Sequence, residues 1–232
     1  MRLGPIPHRW NISPAEAIAV QKRLASRVSC DPCDADINLV AGADVAFSAD
    51  GRYCIAGVVI WNVRERRAIE LRVAIERLRF PYVPGLLTFR EAPALLAAIR
   101  RVECTPDAFL FDGQGFAHPR RFGLASHMGV LIDLPAAGCG KSRLIGEHRD
   151  PGARRGCRQT LRHNGERIGM VLRTRDGVRP VYVSVGHRMS LDQCVRLVLR
   201  CGNGYRLPEP TRLADQLVAQ VKRGEAVPEM AP

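Results

Sequence analysis

Asp44 stands in the middle of the apolar run Leu39-Val40-Ala41-Gly42-Ala43-Asp44-Val45-Ala46-Phe47. A carboxylate in a central strand is costly to desolvate. It persists where it is paired, hydrogen-bonded or bound to a metal. Asp112 ends the apolar stretch Ala108-Phe109-Leu110-Phe111 and is followed by Gly113-Gln114-Gly115. An acid at the carboxyl end of a buried strand, facing a glycine-rich turn, is where open α/β sheets place their ligands. Taken singly, Asp44 is equally well explained by an ion pair with an arginine, and Asp112 by a cap on the following loop. Glu91 and Asp215 also have ordinary explanations. Thr88-Phe89-Arg90-Glu91 fits a capping box, and Asp215 lies one turn into a helix, where a carboxylate favours the N-terminus. The four acids gain weight together. Phosphodiester cleavage at neutral pH needs an activated water and relief of charge on the leaving oxygen. Hard divalent ions supply both, and they take oxygen ligands. Lys141 adds an ammonium able to stabilise the phosphate or the attacking water.

Two other patterns imitate chemistry. Pro135-Ala136-Ala137-Gly138-Cys139-Gly140-Lys141-Ser142 nearly reads as a phosphate loop, but a proline stands where the first glycine makes the tight turn. Cys30-Asp31-Pro32-Cys33 is the only C-x-x-C among eight cysteines, and a structural zinc site wants a second pair at similar spacing.

The elements that must hold these residues follow from periodicity. Ser13-Pro14 starts a helix over residues 14–28. Strands are predicted over 39–47, 53–62 and 68–76, an antiparallel meander with an Asp50-Gly51 turn. Leu95, Leu96, Ile99 and Val102 recur at helical spacing, predicting a helix over 89–102 in which Pro93 is awkward. A buried strand over 108–111, a helix over 123–134 and a strand or turn near 136–141 come next. Strands over 168–172 and 181–185 and helices over 190–201 and 212–223 close the chain, the last capped by Thr211. Residues 149–167, rich in Arg and Gly, read as an exposed loop. Three antiparallel strands followed by alternating helix and strand give an α/β fold, a mixed sheet flanked by helices.

Composition narrows the partners. The chain has 232 residues, 46% of them hydrophobic, which suits one globular domain over residues 1–232 with its core at about 36–224. The formal net charge of +12 points to a polyanion, most commonly nucleic acid. Of 35 basic residues only Lys22, Lys141 and Lys222 are lysine, so each point-charge ammonium stands out from the planar guanidinium groups. Residues 1–13 carry Pro5, Pro7, His8 and Arg9 where a signal peptide needs an apolar core. No run reaches the ~18 apolar residues of a membrane span. A cytoplasmic protein with reduced thiols is expected.

Six blocks in order are similar to the endonuclease V family. They are Phe80-Pro81-Tyr82-Val83-Pro84-Gly85-Leu86-Leu87, Phe89-Arg90-Glu91-Ala92-Pro93, Asp112-Gly113-Gln114-Gly115 running into His118-Pro119-Arg120-Arg121, Lys141-Ser142-Arg143-Leu144, Val183-Ser184-Val185-Gly186-His187-Arg188, and Pro210-Thr211-Arg212-Leu213-Ala214-Asp215. With Asp44 the resemblance spans nearly the whole chain. It implies a ribonuclease H-like fold, dependence on Mg²⁺ or Mn²⁺, and nicking of DNA at the second phosphodiester 3′ to a deaminated base such as hypoxanthine. Asp44 and Asp112 would be direct metal ligands. Glu91 would hold a water of the metal, Asp215 would complete the cluster (some members carry histidine there), and Lys141 falls on the catalytic lysine. Pro81, Tyr82, Val83 and Pro84 would form a wedge that separates strands, stiffened by its prolines; a plain turn packed on the core is the other reading. The flipped base must be read in a pocket. Gly113, Gly115 and Gly138 permit close backbone approach, and Leu87, Leu124 and Leu144 could wall it. His118, Arg120, Arg121 and Ser142 are candidate phosphate contacts, with a structural role the alternative for His118 and His127. Arg154-Arg155-Gly156-Cys157-Arg158-Gln159 and Cys139 depart from the family pattern. The expected partner is DNA with deaminated bases, with RNA as a further substrate, and the chain is expected to be monomeric. A junction resolvase, an inosine-specific ribonuclease and a non-cleaving inosine-binding module are the rival readings.

Overall fold

The computed structural model describes residues 1–34 and 36–226. Eight strands form one sheet, in the order β3-β2-β1-β4-β5-β8-β7-β6. β1 (Leu39–Phe47), β2 (Tyr53–Asn62) and β3 (Arg67–Arg77) are the predicted meander. β4 (Ala108–Phe111) runs parallel to β1, and β5 (Ala136–Gly140) parallel to β4. β8 (Val181–His187) and β7 (Glu166–Leu172) continue antiparallel, and β6 (Arg158–His163) forms the far edge.

Two corrections concern these strands and their helices. β6 lies inside the stretch expected to be a loop. It carries Arg158, Gln159, Thr160, Arg162 and His163, and only Leu161 is fully buried. An edge strand with one inward apolar residue leaves almost no alternation to read. Helix starts also differ. α2 (Leu87–Arg100) begins after Leu86 with no side-chain cap, so the Thr88–Glu91 capping box does not form. Both residues lie inside the helix and are buried. α5 (Glu209–Lys222) starts after Pro208, and Thr211, inside it, gives its hydroxyl to the Pro208 carbonyl instead of capping.

α1 (Pro14–Ala25) starts as expected, because Ser13 and Glu16 cap each other's backbone N–H. α3 (Leu124–Ile132) and α4 (Leu191–Arg200) complete the helices. The faces follow from strand alternation. Ala41 and Ala43 of β1 and Phe109 and Phe111 of β4 share a core with α2 and α3. Their neighbours Val40, Ala108 and Leu110 point the other way, into a core shared with α4. α5 covers β1 and β2 on that second face. The acids inherit this geometry. Asp44 is in phase with Gly42, and Asp112 with Leu110, so both face α5. The parallel register pairs Ala43 with Phe111, which makes Asp44 and Asp112 the next pair across the two strands.

Gly42 sets how closely α5 approaches. A β-carbon there would lie 2.1 Å from the Pro210 carbonyl carbon. Gly42→Ala must push the first turn of α5, and Asp215 with it, off the sheet. Overpacking of this kind costs about 1–3 kcal/mol. We expect a lower Tm together with weaker Mg²⁺ binding by calorimetric titration; an unchanged Tm would show that the helix can move away freely.

Candidate active site

Side-chain oxygens of Asp44, Asp112 and Asp215 lie within 4.8 Å of one another. β1, the end of β4 and the second turn of α5 each supply one. Lys141, just past β5, places its Nζ 2.5 Å from Asp112 Oδ2 and 3.0 Å from Asp215 Oδ1. Asp44 Oδ1 accepts the Val45 N–H at 2.8 Å. Burial, then the charge of Asp112, pushes the Asp44 pKa up to about 8 against the pull of Lys141. Asp112 is raised as well, since its burial outweighs the hydrogen bond and charge of Lys141. Burial lowers the lysine's own pKa, but its bonds to Asp112 and Asp215 more than reverse this, leaving it above its usual range. An all-oxygen donor set in which Asp44 and Asp112 resist ionising together fits a hard dication. It is the only such group among the described residues, and Cys30 and Cys33 belong to none.

Glu91 reaches the site from the opposite face of the sheet. It is buried and outside the 4.8 Å group. Burial, followed by the charges of Asp44 and Asp112, pushes its pKa up to about 8. The tight triad is therefore Asp44, Asp112 and Asp215, rather than Asp44, Asp112 and Glu91.

Next to the cluster opens a cavity of about 380 Å³ lined by Leu87, Gly113, Leu124 and Leu144, with Asp112, Lys141, Ser142 and His118 on its wall. Gly115 and Gly138 are not in its lining. Their missing β-carbons serve internal packing: one on Gly115 would sit 2.0 Å from the Val185 carbonyl oxygen, and one on Gly138 2.5 Å from that of Gly113. Tyr82 stands at the mouth, 70% exposed, and Pro81 and Pro84 are exposed too. Val83 between them packs against the core of Phe80, Leu86 and Phe89, so the segment is anchored by Val83 and presents Tyr82 outward.

A model of the endonuclease V family matches residues 22–216. The chain belongs to the endonuclease V family. As a member it is a DNA repair endonuclease that acts on deaminated bases. An endonuclease V from Nostoc sp. is 48% identical over 214 residues, covering 92% of this chain and 97% of that one. The endonuclease V structure from Streptomyces avermitilis is 41% identical, with a TM-score of 0.89 over 94% of this chain and 97% of that one. The sheet and its helices are thus the ribonuclease H-like fold expected. An endonuclease V variant from Ciona intestinalis, solved with a 23mer DNA containing an inosine followed by a ribo-adenosine, is 25% identical, with a TM-score of 0.80 over 92% of this chain and 99% of that one.

Against this family background, three of the expected phosphate contacts have structural partners. The Gly85 carbonyl, directly after the Tyr82 segment, accepts from Gln21 Nε2 at 3.0 Å, His118 Nε2 at 3.0 Å and Arg120 Nη2 at 2.8 Å. Arg121 pairs with Glu166 at 2.7 Å. Of the four, Ser142 is left exposed on the cavity rim. Gln21 was not legible as a site residue, being 64 residues from Gly85 in sequence. Arg206 was missed as well. Its guanidinium donates to the carbonyls of Lys141 at 2.6 Å, Pro180 at 2.9 Å and Arg179 at 3.0 Å, which fixes the backbone beneath the lysine.

His118 Nδ1 accepts the Arg120 N–H while Nε2–H donates to Gly85; the first bond exists only in the neutral ring, so the pair together requires it. Burial, then Arg120, lowers its pKa to about 4. A folded pKa below the unfolded 6.5 means stability that is complete above pH 6.5 and lost as the pH falls through about 4. Tm should fall across that window, and less steeply in His118→Gln, whose amide can keep both bonds without titrating. Buried His127, also lowered by burial and by His8, leaves a residual slope.

Proposed function

We propose that the chain nicks DNA at the second phosphodiester 3′ to hypoxanthine or a similar deaminated base, with Mg²⁺ as its metal and Mn²⁺ as a substitute, acting as a monomer and a single domain. The observation that carries this reading is the adjacency of the Asp44, Asp112, Asp215 and Lys141 cluster to a base-sized cavity. The inosine-containing DNA held by the Ciona relative is the substrate class that suits such a cavity.

When bound, a hard dication there supplies relief of negative charge and a more acidic water. Asp44, Asp112 and Asp215 would hold it. Glu91, entering from the other face, would accept a hydrogen bond from the attacking water and orient it. Lys141 would donate to a phosphoryl oxygen as charge builds on it. Leu87 and Leu124, on the cavity wall, would exclude water around the flipped base, and the backbone beside Gly113 would read its edge. Tyr82, rigid between two prolines, would fill the gap left in the stack.

The deciding assay incubates a duplex carrying one hypoxanthine with and without Mg²⁺, beside an undamaged duplex, a four-way junction and an inosine-containing RNA. Metal-dependent nicking of the hypoxanthine duplex alone, or of it and the RNA, supports the reading. Binding without nicking, or cutting of the junction alone, ends it. Tyr82→Ala should lower the preference for the lesion in duplex by about tenfold, the scale of one lost base-stacking contact. It should have far less effect on a single strand, where no gap needs filling.

A further inference from the structure

Lys141, Ser142 and Arg143 form a ridge with a cavity on either side. One is the base cavity. The other, about 490 Å³, lies between the ridge, the 173–180 turn and Arg206. Its lining holds five cations, Lys141, Arg143, Arg173, Arg179 and Arg206, against the single acid Asp150.

Two of these charges are locked in place. The Arg173 guanidinium donates to the carbonyls of Pro151, Gly152 and Val178. Arg206 is held by the carbonyls of Lys141, Arg179 and Pro180. Carbonyls fix a guanidinium without cancelling its charge. Arg143 and Arg179 are exposed, and no acid among the described residues pairs with either. Fixed positive charge with two unengaged guanidinium forks is a receptor for a phosphate group. Little in the lining other than Tyr182 offers a face on which a base could stack.

We propose that this second cavity is a subsite for the backbone phosphates of the cleaved strand just 3′ of the nick. The inference rests on the nicking reaction proposed above. If the base sits in the first cavity and the bond is cut at the ridge, on its 3′ side, the strand leaves across the ridge into the second. The subsite grips the strand beyond the scissile bond without reading its sequence. It thereby holds that bond over the acids between two anchors.

The test uses oligonucleotides with one hypoxanthine and a neutral methylphosphonate placed in turn at each phosphate from two before the base to four beyond the nick. Affinity is read by fluorescence anisotropy in chelator, where no cutting occurs, for the wild type and for Arg143→Gln/Arg179→Gln. In the wild type, a methylphosphonate at the first or second phosphate past the nick should weaken binding about tenfold, as expected for a lost charge-assisted contact. In the double variant the unmodified strand should already bind that weakly, and the same methylphosphonate should add nothing. The slope of log affinity against log salt should shrink by about 2, one for each arginine, while the preference for hypoxanthine over adenine stays unchanged in Arg179→Gln alone, since Arg179 lies outside the base cavity. Both arginines are exposed, so the variant's Tm should match the wild type. A penalty that persists in the variant, that falls only 5′ of the base, or that is nowhere found overturns the subsite. Failure of the nicking reading shows up separately, as no cut of the unmodified strand in Mg²⁺.

Discussion

Asp44→Asn should lower the rate of nicking by about 10³-fold or more while leaving the protein folded and bound to lesion DNA. The electrostatic contribution at stake is several kcal/mol, and 1.36 kcal/mol is a factor of ten in rate. The variant isolates charge from shape, because asparagine can still accept the Val45 N–H that Asp44 Oδ1 receives at 2.8 Å. It also removes one member of a group whose charges repel: the Asp44 pKa reaches about 8, by burial first and Asp112 second. The metal-free variant should therefore melt at the same temperature as the wild type at pH 6, or higher. The sign of the pH dependence follows. Metal binding needs ionised carboxylates, so Mg²⁺ affinity in the wild type should weaken as the pH falls below about 8, releasing protons on binding. Calorimetry in two buffers of different ionisation enthalpy reads those protons, and Asp44→Asn should release fewer. Full nicking activity in the variant would remove Asp44 from the reaction altogether.

The acids of the strands stand out by their position alone, whereas those of the helices are marked only by the family resemblance, for a physical reason. Asp44 and Asp112 interrupt runs of buried residues, so the cost of desolvation marks them in one dimension. Glu91 and Asp215 sit on helices, where an acid near the start is unremarkable. Which of the two joins the triad depends on which sheet face each helix covers, and that is decided by the crossovers rather than by any local pattern. The same limit hid Gln21, whose amide crosses to Gly85 and Phe122, and Arg206, whose partner carbonyls lie on segments 26 and 65 residues away. The glycines divide along this line too. Gly113 lines the cavity beside the acids, whereas Gly115 and Gly138 are small because β8 and the turn after β4 press against them. A glycine in sequence announces close approach without saying by what.

Lys141→Met should separate two roles that one ammonium combines. Its Nζ, at 2.5 Å from Asp112 and 3.0 Å from Asp215, offsets part of the negative charge of the triad. Removing it leaves carboxylates that protons or a metal cation must neutralise instead. The metal-free protein should lose stability, and Mg²⁺ should bind more tightly because its competitor is gone. Catalysis should nonetheless fall by about 10²–10³-fold in kcat, the usual cost of deleting one donor to developing charge, with KM little changed since the loss is felt in the transition state. Tighter metal with slower chemistry is a combination that a merely structural lysine would not produce; loss of metal affinity and activity together would assign Lys141 to holding the site's shape. Lys141→Arg should not restore the rate. A planar fork cannot occupy the point between Asp112 and Asp215 and still turn a donor toward a phosphoryl oxygen. The other basic side chains of the chain are 32 arginines and two lysines, Lys22 and Lys222. At this position the compact, rotatable ammonium is what the geometry of three converging carboxylates admits.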